Sequence, residues 1–276
     1  MSANPTRPVM RYFGGKWRIA PWIISHFPPH RVYTEVFGGA ASVLMRKQRS
    51  EVEVYNDLDQ QVVNLFRVLR DDSTELERLL GYTPYSRDEY VLSQVPANDP
   101  IEQARRTLVA YWFSMSTDSS KNPPGSIGGF RSYSGRNLAK EWVGVLDTIT
   151  HISERLRLVY IENDDAVSVL LRNDYPDALH YVDPPYAPST RSSGGYRHDM
   201  QESEHEALAA ALHQLEGMVI LSGYDCPMYA ELFPDWHRVD LQTIADSRRG
   251  RTESLWLNPA AQAKQPQPDL FAEVQS

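Results

Sequence analysis

With one cysteine, Cys226, among 276 residues, the chain cannot close an internal disulfide or build a multi-cysteine zinc site. Long apolar runs are missing too, and no stretch approaches the ~20 residues that a bilayer-spanning helix requires. The first residues, Met1 to Pro8, are polar, contain two prolines and lack the apolar core of a signal peptide. These absences predict a soluble cytoplasmic protein. An excess of basic charge is also lacking: 28 Lys and Arg against 36 Asp and Glu leave a net charge of −8, unlike the basic footprint usual for nucleic-acid binders. The positive charge is nevertheless clustered, at Arg46, Lys47 and Arg49, at Arg105 and Arg106, at Arg131, Arg136 and Lys140, and at Arg248, Arg249 and Arg251. Phosphate binding needs only a local patch, although a solvated face is the plainer reading of each cluster. What is present otherwise is ordinary globular composition, 41% hydrophobic and 23% charged, in a length that suits one α/β domain with a smaller insertion.

The order of apolar patterns is that of a nucleotide-binding sheet. Ile19, Trp22 and Ile23 recur at helical spacing, and Val32 to Phe37 reads as a strand ending at Gly38-Gly39, where a helical run from Ala41 to Arg49 begins. Val52 to Tyr55 is a short strand with Asn56-Asp57 at its end, followed by a helix with Val62, Leu65, Phe66 and Leu69 on one face. From about Gly81 to Glu154 the character changes to helical patterns around Leu108 to Met115 and Trp142 to Ile149, separated by a Ser/Gly/Pro/Arg-rich stretch, Ser116 to Asn137. A polar loop of that length is usually functional or disordered. Strands then return at Leu158 to Ile161, Leu179 to Val182, Met218 to Leu221, Arg238 to Leu241 and Ser254 to Leu257, with helices near Leu208 to Leu215 and Met228 to Phe233. The division expected is therefore 1–80 and 156–259 for the two halves of one sheet, 81–155 for an insertion, and 260–276 for a flexible tail.

Ligands of such sheets bind beyond the C-terminal ends of the strands, and three polar motifs fall there. Gly38 and Gly39 let backbone approach a ligand at a helix N-terminus, or simply make a tight turn. Asp57, 18 residues beyond Gly39, suits a ribose diol, with a helix N-cap as the alternative. Asp183-Pro184-Pro185-Tyr186 is more specific. Pro185 holds Pro184 extended, so that the Asp183 carboxylate and the Pro184 carbonyl become two rigid acceptors for one amino group, and Tyr186 offers an aromatic face to a base removed from its stack.

With these motifs the chain resembles the DNA adenine methylase family, in the group with its target-recognition segment between the cofactor and catalytic halves. Tyr12-Phe13-Gly14-Gly15-Lys16 is similar to the N-terminal cofactor motif, and Glu35-Val36-Phe37-Gly38-Gly39-Ala40 to the glycine motif Glu-Pro-Phe-x-Gly-x-Gly, with Val36 for the proline and Ala41 for the last glycine. Tyr55-Asn56-Asp57 matches the ribose-binding acid. Ile161-Glu162-Asn163 with Asp165 is similar to the segment that contacts the cofactor's adenine, and Leu221 to Asp225 and Glu253 to Trp256 resemble later motifs. The resemblance, which extends to about Pro259, implies a Rossmann-like α/β methyltransferase sheet with an inserted, mainly helical recognition domain. It also implies S-adenosylmethionine as cofactor, duplex DNA as substrate, no metal, and room for a partner restriction endonuclease in a bacterial or phage setting. A monomer is the default.

The residues expected to hold the cofactor are Tyr12, Lys16, Glu35, Phe37, Gly38, Gly39, Asp57, Asp165 and Asp183. Catalysis falls to Asp183, Pro184 and Tyr186, and DNA contacts to Arg131, Tyr133, Arg136, Tyr196 and Arg197. Phe130 or Tyr133 is a candidate wedge into the duplex, and Tyr196 and Arg197 are candidates to close over a flipped base. His205, beside Glu202 and Glu206, reads as structural rather than metal-binding. Cytosine-C5 chemistry presents its nucleophile as Pro-Cys. Here the order is Cys226-Pro227, beyond the catalytic motif, so Cys226 reads as a small buried residue. Cytosine N4, RNA, or silent DNA binding remain as alternative readings.

Overall fold

The computed structural model describes residues 5–115, 129–132, 135, 137–186, 197–244 and 250–265. In chain order these form α1 (Ala20–Ser25), β1 (Val32–Glu35), α2 (Ser42–Arg46), β2 (Val52–Asn56), α3 (Gln60–Asp71), α4 (Ser73–Gly81), α5 (Arg87–Leu92), α6 (Pro100–Phe113) and α7 (Leu138–Leu156). There follow β3 (Val159–Glu162), α8 (Ala166–Arg172), β4 (Ala178–Val182), α9 (Glu202–Leu212), β5 (Met218–Tyr224), α10 (Pro227–Leu232), β6 (His237–Ile244), β7 (Gly250–Leu257) and α11 (Pro259–Ala263).

The strands make one sheet in the order β3-β2-β1-β4-β5-β7-β6. β3, β2, β1, β4 and β5 run parallel, and β7 lies antiparallel between β5 and β6. Strand order reverses between β1 and β4, which is where a crevice opens beyond the carboxyl ends. β1 and β4 are buried along their whole length, as central parallel strands covered on both faces must be. The period-2 alternation divides their side chains between two cores. Tyr33, Tyr55, Leu179, Tyr181, Met218 and Ile220 point to one, while Val54, Val182, Val219 and Leu221 point to the other.

Local chemistry starts the helices where packing needs them. Asp59 caps α3 by accepting from Gln61 N, and Val62, Leu65, Phe66 and Leu69 are its buried stripe. Asp99 caps α6 with Pro100 in the first turn, and Asn137 caps α7. Helices α6 and α7, from the inserted stretch, lie on α3 and share its apolar core with the sheet. α7 is also clamped by charge: Arg155 forks onto Glu53 of β2, whose carboxylate takes Lys47 Nζ at 2.7 Å as well, with all three side chains at most 3% exposed. Removing one member of such a buried group costs about 3–5 kcal/mol, because the others are left uncompensated.

The solvated-face reading of the basic clusters is therefore corrected for Lys47, Arg105, Arg106 and Arg131, while Arg49 and Lys140 are exposed. Lys47 is buried against Glu53, Arg105 pairs with Glu89 and Glu102, Arg106 with Glu102, and Arg131 with Glu141, while Arg46 and Arg49 donate to the carbonyls of Trp17 and Glu154. Arg136, Arg248 and Arg249 lie outside the described residues. The tail boundary moves as well, since residue 260 lies within α11, capped by Asn258 and anchored by the buried Ala261. Among the described residues no helix is long and apolar enough to cross a membrane.

Candidate active site

Beyond the carboxyl ends of β1, β2 and β4 lies a cavity of about 400 Å³, a volume suited to a nucleoside-sized ligand. The glycine turn leaves β1 and is tied to β2 by backbone and side chain. Gly38 N donates to Asn56 O at 2.8 Å, Gly39 N donates to Asp57 Oδ2 at 2.8 Å, and Tyr55 Oη donates to Gly39 O. A Cβ on Gly38 would lie 2.1 Å from the Tyr55 ring, and one on Gly39, where φ is +46°, would lie 2.6 Å from Tyr12. The two glycines are thus required by the protein's own tyrosines. Ala41, which stands for the family glycine, keeps the left-handed conformation (φ 51°) and carries strain of about 1–2 kcal/mol that glycine would not.

Three of the carboxylates that line the cavity are held in different ways. Glu35 Oε2 accepts from Tyr33 Oη at 2.7 Å and Leu44 N at 2.9 Å; burial raises it to about 8. Asp57 accepts from Gly39 N and from Asp59 N (2.7 Å), and burial raises it to about 6. Asp183, at the end of β4, is raised by burial and lowered by Lys16, whose Nζ stands 3.0 Å from Oδ1. Lys16 also donates to Gly14 O and lies 4.6 Å over the ring of Tyr186. That ring is buried. Its hydroxyl donates to Glu253 Oε2 at 3.2 Å on β7 and shares a contact with Ser222 Oγ on β5. The two late motifs therefore fix the tyrosine of the tetrapeptide from behind.

An acid-ended parallel sheet with a buried lysine on an Asp-Pro-Pro-Tyr carboxylate suits transfer to an exocyclic amine, and the comparison with known families agrees. The D12 class N6 adenine-specific DNA methyltransferase model matches residues 12–245. The chain belongs to this family. It is an adenine-N6 DNA methyltransferase, and S-adenosylmethionine is the methyl donor. No curated protein matches the chain.

All nine residues expected to hold the cofactor line the cavity: Tyr12, Lys16, Glu35, Phe37, Gly38, Gly39, Asp57, Asp165 and Asp183. Pro184 and Tyr186 stand outside its wall. The helix-cap alternative for Asp57 falls instead to Asp59, and Asp165 caps α8 through Ser168 N. Of the residues expected at DNA, Tyr133, Arg136 and Tyr196 lie outside the described residues. Arg131 is paired with Glu141 beside Arg11, and Arg197 turns onto Asp59 in the cavity wall. Phe130 is not a free wedge: its ring packs against Tyr85, Tyr90 and Phe113, with Arg87 over it. His205 is buried against the Tyr229 hydroxyl, and Cys226 is buried at the start of α10. Sequence reasoning missed Asp59, the wall made by His198, Asp199 and Met200, and Leu58. For Asp59 a signal existed, as an acid directly before an amphipathic helix is a cap.

Proposed function

We propose that this methyltransferase modifies the N6 amino group of an adenine flipped out of a specific duplex DNA sequence. The observation that carries the reading is the buried Lys16–Asp183 pair in the wall of the same cavity as Asp57 and the glycine turn. The cavity fits S-adenosylmethionine in size and in charge, since the acids Asp57, Asp59, Asp165, Asp183, Asp199 and Glu204 outnumber the cations Lys16 and Arg197, as suits a ligand bearing a sulfonium and an ammonium. Asp57 would hold the ribose, the Gly38-Gly39 turn with Glu35 the amino-acid portion, and Asp165 the adenine side. The cofactor supplies a methyl group activated by its positive sulfur.

The protein's part is to make a poor nucleophile usable. An adenine amino nitrogen delocalises its lone pair into the ring. The Asp183 carboxylate and the Pro184 carbonyl accept its two N–H groups, which localises that pair toward the donor. Lys16 opposes the burial that raises Asp183 and so favours the ionised acceptor before substrate arrives. Pro185 stiffens the Pro184 carbonyl. Catalysis is then positioning and preorganised polarity, with no covalent enzyme intermediate. Residues 81–155 would read the target, with Tyr133 and Arg136 toward DNA and Arg131 bracing that segment through Glu141, and Tyr196 would close over the extruded base.

The test incubates the protein with methyl-labelled S-adenosylmethionine and unmethylated duplex DNA, then identifies the labelled nucleoside. N6-methyladenine is expected, and Asp183→Ala should abolish it while still binding DNA. Label in N4-methylcytosine would overturn the substrate base. No label, with cofactor bound, would point to RNA or to a silent binder.

A further inference from the structure

Arg197 was expected at DNA, yet its guanidinium faces the cofactor side. Nη1 donates to Asp59 Oδ1 at 2.8 Å and Nη2 to Gln61 Oε1 at 3.3 Å. The pair is largely shielded, with Arg197 16% and Asp59 4% exposed. Asp59 belongs to the turn that carries Asp57, and its own N–H donates to the Asp57 carboxylate, which in turn holds Gly39 N. On the other side, Arg197 begins the run His198, Asp199, Met200 that walls the cavity opposite that turn. The ion pair thus joins two walls that come from distant parts of the chain. Among the described residues Asp59 Oδ2 and Arg197 Nε are buried without a hydrogen-bond partner, so both retain capacity toward a polar ligand.

We infer that Arg197, through Asp59, is a cofactor-positioning residue: the pair holds the 197–200 wall against the ribose-binding turn and so sets affinity for S-adenosylmethionine rather than for DNA. The inference rests on the cofactor reading above. A phosphate-contacting arginine would be expected to present its fork to solvent; here the fork is spent on an acid and an amide inside the pocket wall. Charge also favours this assignment, because Asp59 is a buried carboxylate whose other partner among the described residues is the neutral backbone N–H of Gln61 at its own helix start.

The variants to compare are Arg197→Met, Asp59→Asn, the double variant and Arg197→Lys. Asparagine still caps a helix, so Asp59→Asn removes charge while keeping the start of α3. Calorimetric titration with S-adenosylmethionine in the absence of DNA should show each single variant weakened by about tenfold, the double no weaker than the singles, and Arg197→Lys partly restored. DNA affinity across a salt series should stay near wild type and KM for S-adenosylmethionine should rise by more than kcat falls, while the ligand-free Tm of Arg197→Met drops because Asp59 is left buried without its cation. Unchanged cofactor affinity in both singles would overturn the inference. So would weakened DNA binding with a salt slope lower by about one and cofactor binding intact, which would make Arg197 a phosphate contact. A wild-type protein that fails to bind S-adenosylmethionine would instead overturn the cofactor reading of the cavity, a separate failure.

Discussion

Glu35 and Asp57, which the proposal assigns to the cofactor, take their hydrogen bonds from Tyr33, Leu44, Gly39 and Asp59, whereas Asp183, the proposed acceptor of the amino group, faces the ammonium of Lys16. All three are raised by burial, but only Asp183 has a buried cation at 3.0 Å. The difference follows from what each must meet. Of the two proposed binding groups, Asp57 keeps a charge for a cationic ligand near neutral pH, while Glu35, raised to about 8, meets it as a protonated acid. An acceptor that must be ionised when a neutral amino group arrives needs its charge secured beforehand.

The most severe way to break this contrast is to remove the cation. Lys16→Met should lower kcat about 10²-fold near neutral pH, because Asp183 loses the charge that opposes its burial. The rate at saturating cofactor should climb again as pH is raised. An equal deficit at every pH would mean that Lys16 acts on something other than Asp183.

A smaller effect is expected at Asp57. The carboxylate accepts from a ribose diol only when ionised, so cofactor affinity of the wild type should fall as pH drops through about 6. Asp57→Asn should bind S-adenosylmethionine about tenfold more weakly and lose that pH dependence. Titration calorimetry over a pH series would read both, and a retained pH dependence in the variant would place the titrating group elsewhere.

Least in size is the stability signature of Glu35. Its folded value of about 8 lies above its ordinary 4.5, so across that window the folded chain holds a proton that the unfolded chain has lost. The Glu35 contribution to stability is therefore intact at low pH and declines as pH rises from roughly 4.5 to 8. Glu35→Gln should flatten the corresponding fall in the ligand-free Tm, and an unchanged slope would assign the effect to another group.

Much of this site was legible before any coordinates. Asp57 and Asp183 are legible as acids at strand ends, Tyr12, Lys16 and Glu35 through the family resemblance, and all of them line one cavity. Such residues are readable because the parallel sheet brings the carboxyl ends of its strands to one side, whatever the loops do. Strongly periodic helices such as α3 and α7 were readable for the same local reason. Helices α4, α5, α8 and α11 were not singled out. α5, α8 and α11 have 5–7 residues and α4 has nine, so each offers too few turns for its periodicity to stand out.

The sequence by itself determined the alternation of strands and helices, the glycine turn, and the identity of the acids at the strand ends. These are properties of neighbouring residues, set by backbone propensity and side-chain period. Tertiary structure alone decided which charges meet. It turned Lys47 and Arg155 inward to Glu53 and set Arg197 on Asp59 from 138 positions away, whereas Lys16 on Asp183 is what the family resemblance implies. A guanidinium has the same composition at a DNA surface or in a pocket wall. Its role is set by the nearest carboxylate once the chain has folded, because desolvation makes a buried charge seek a partner wherever the fold supplies one.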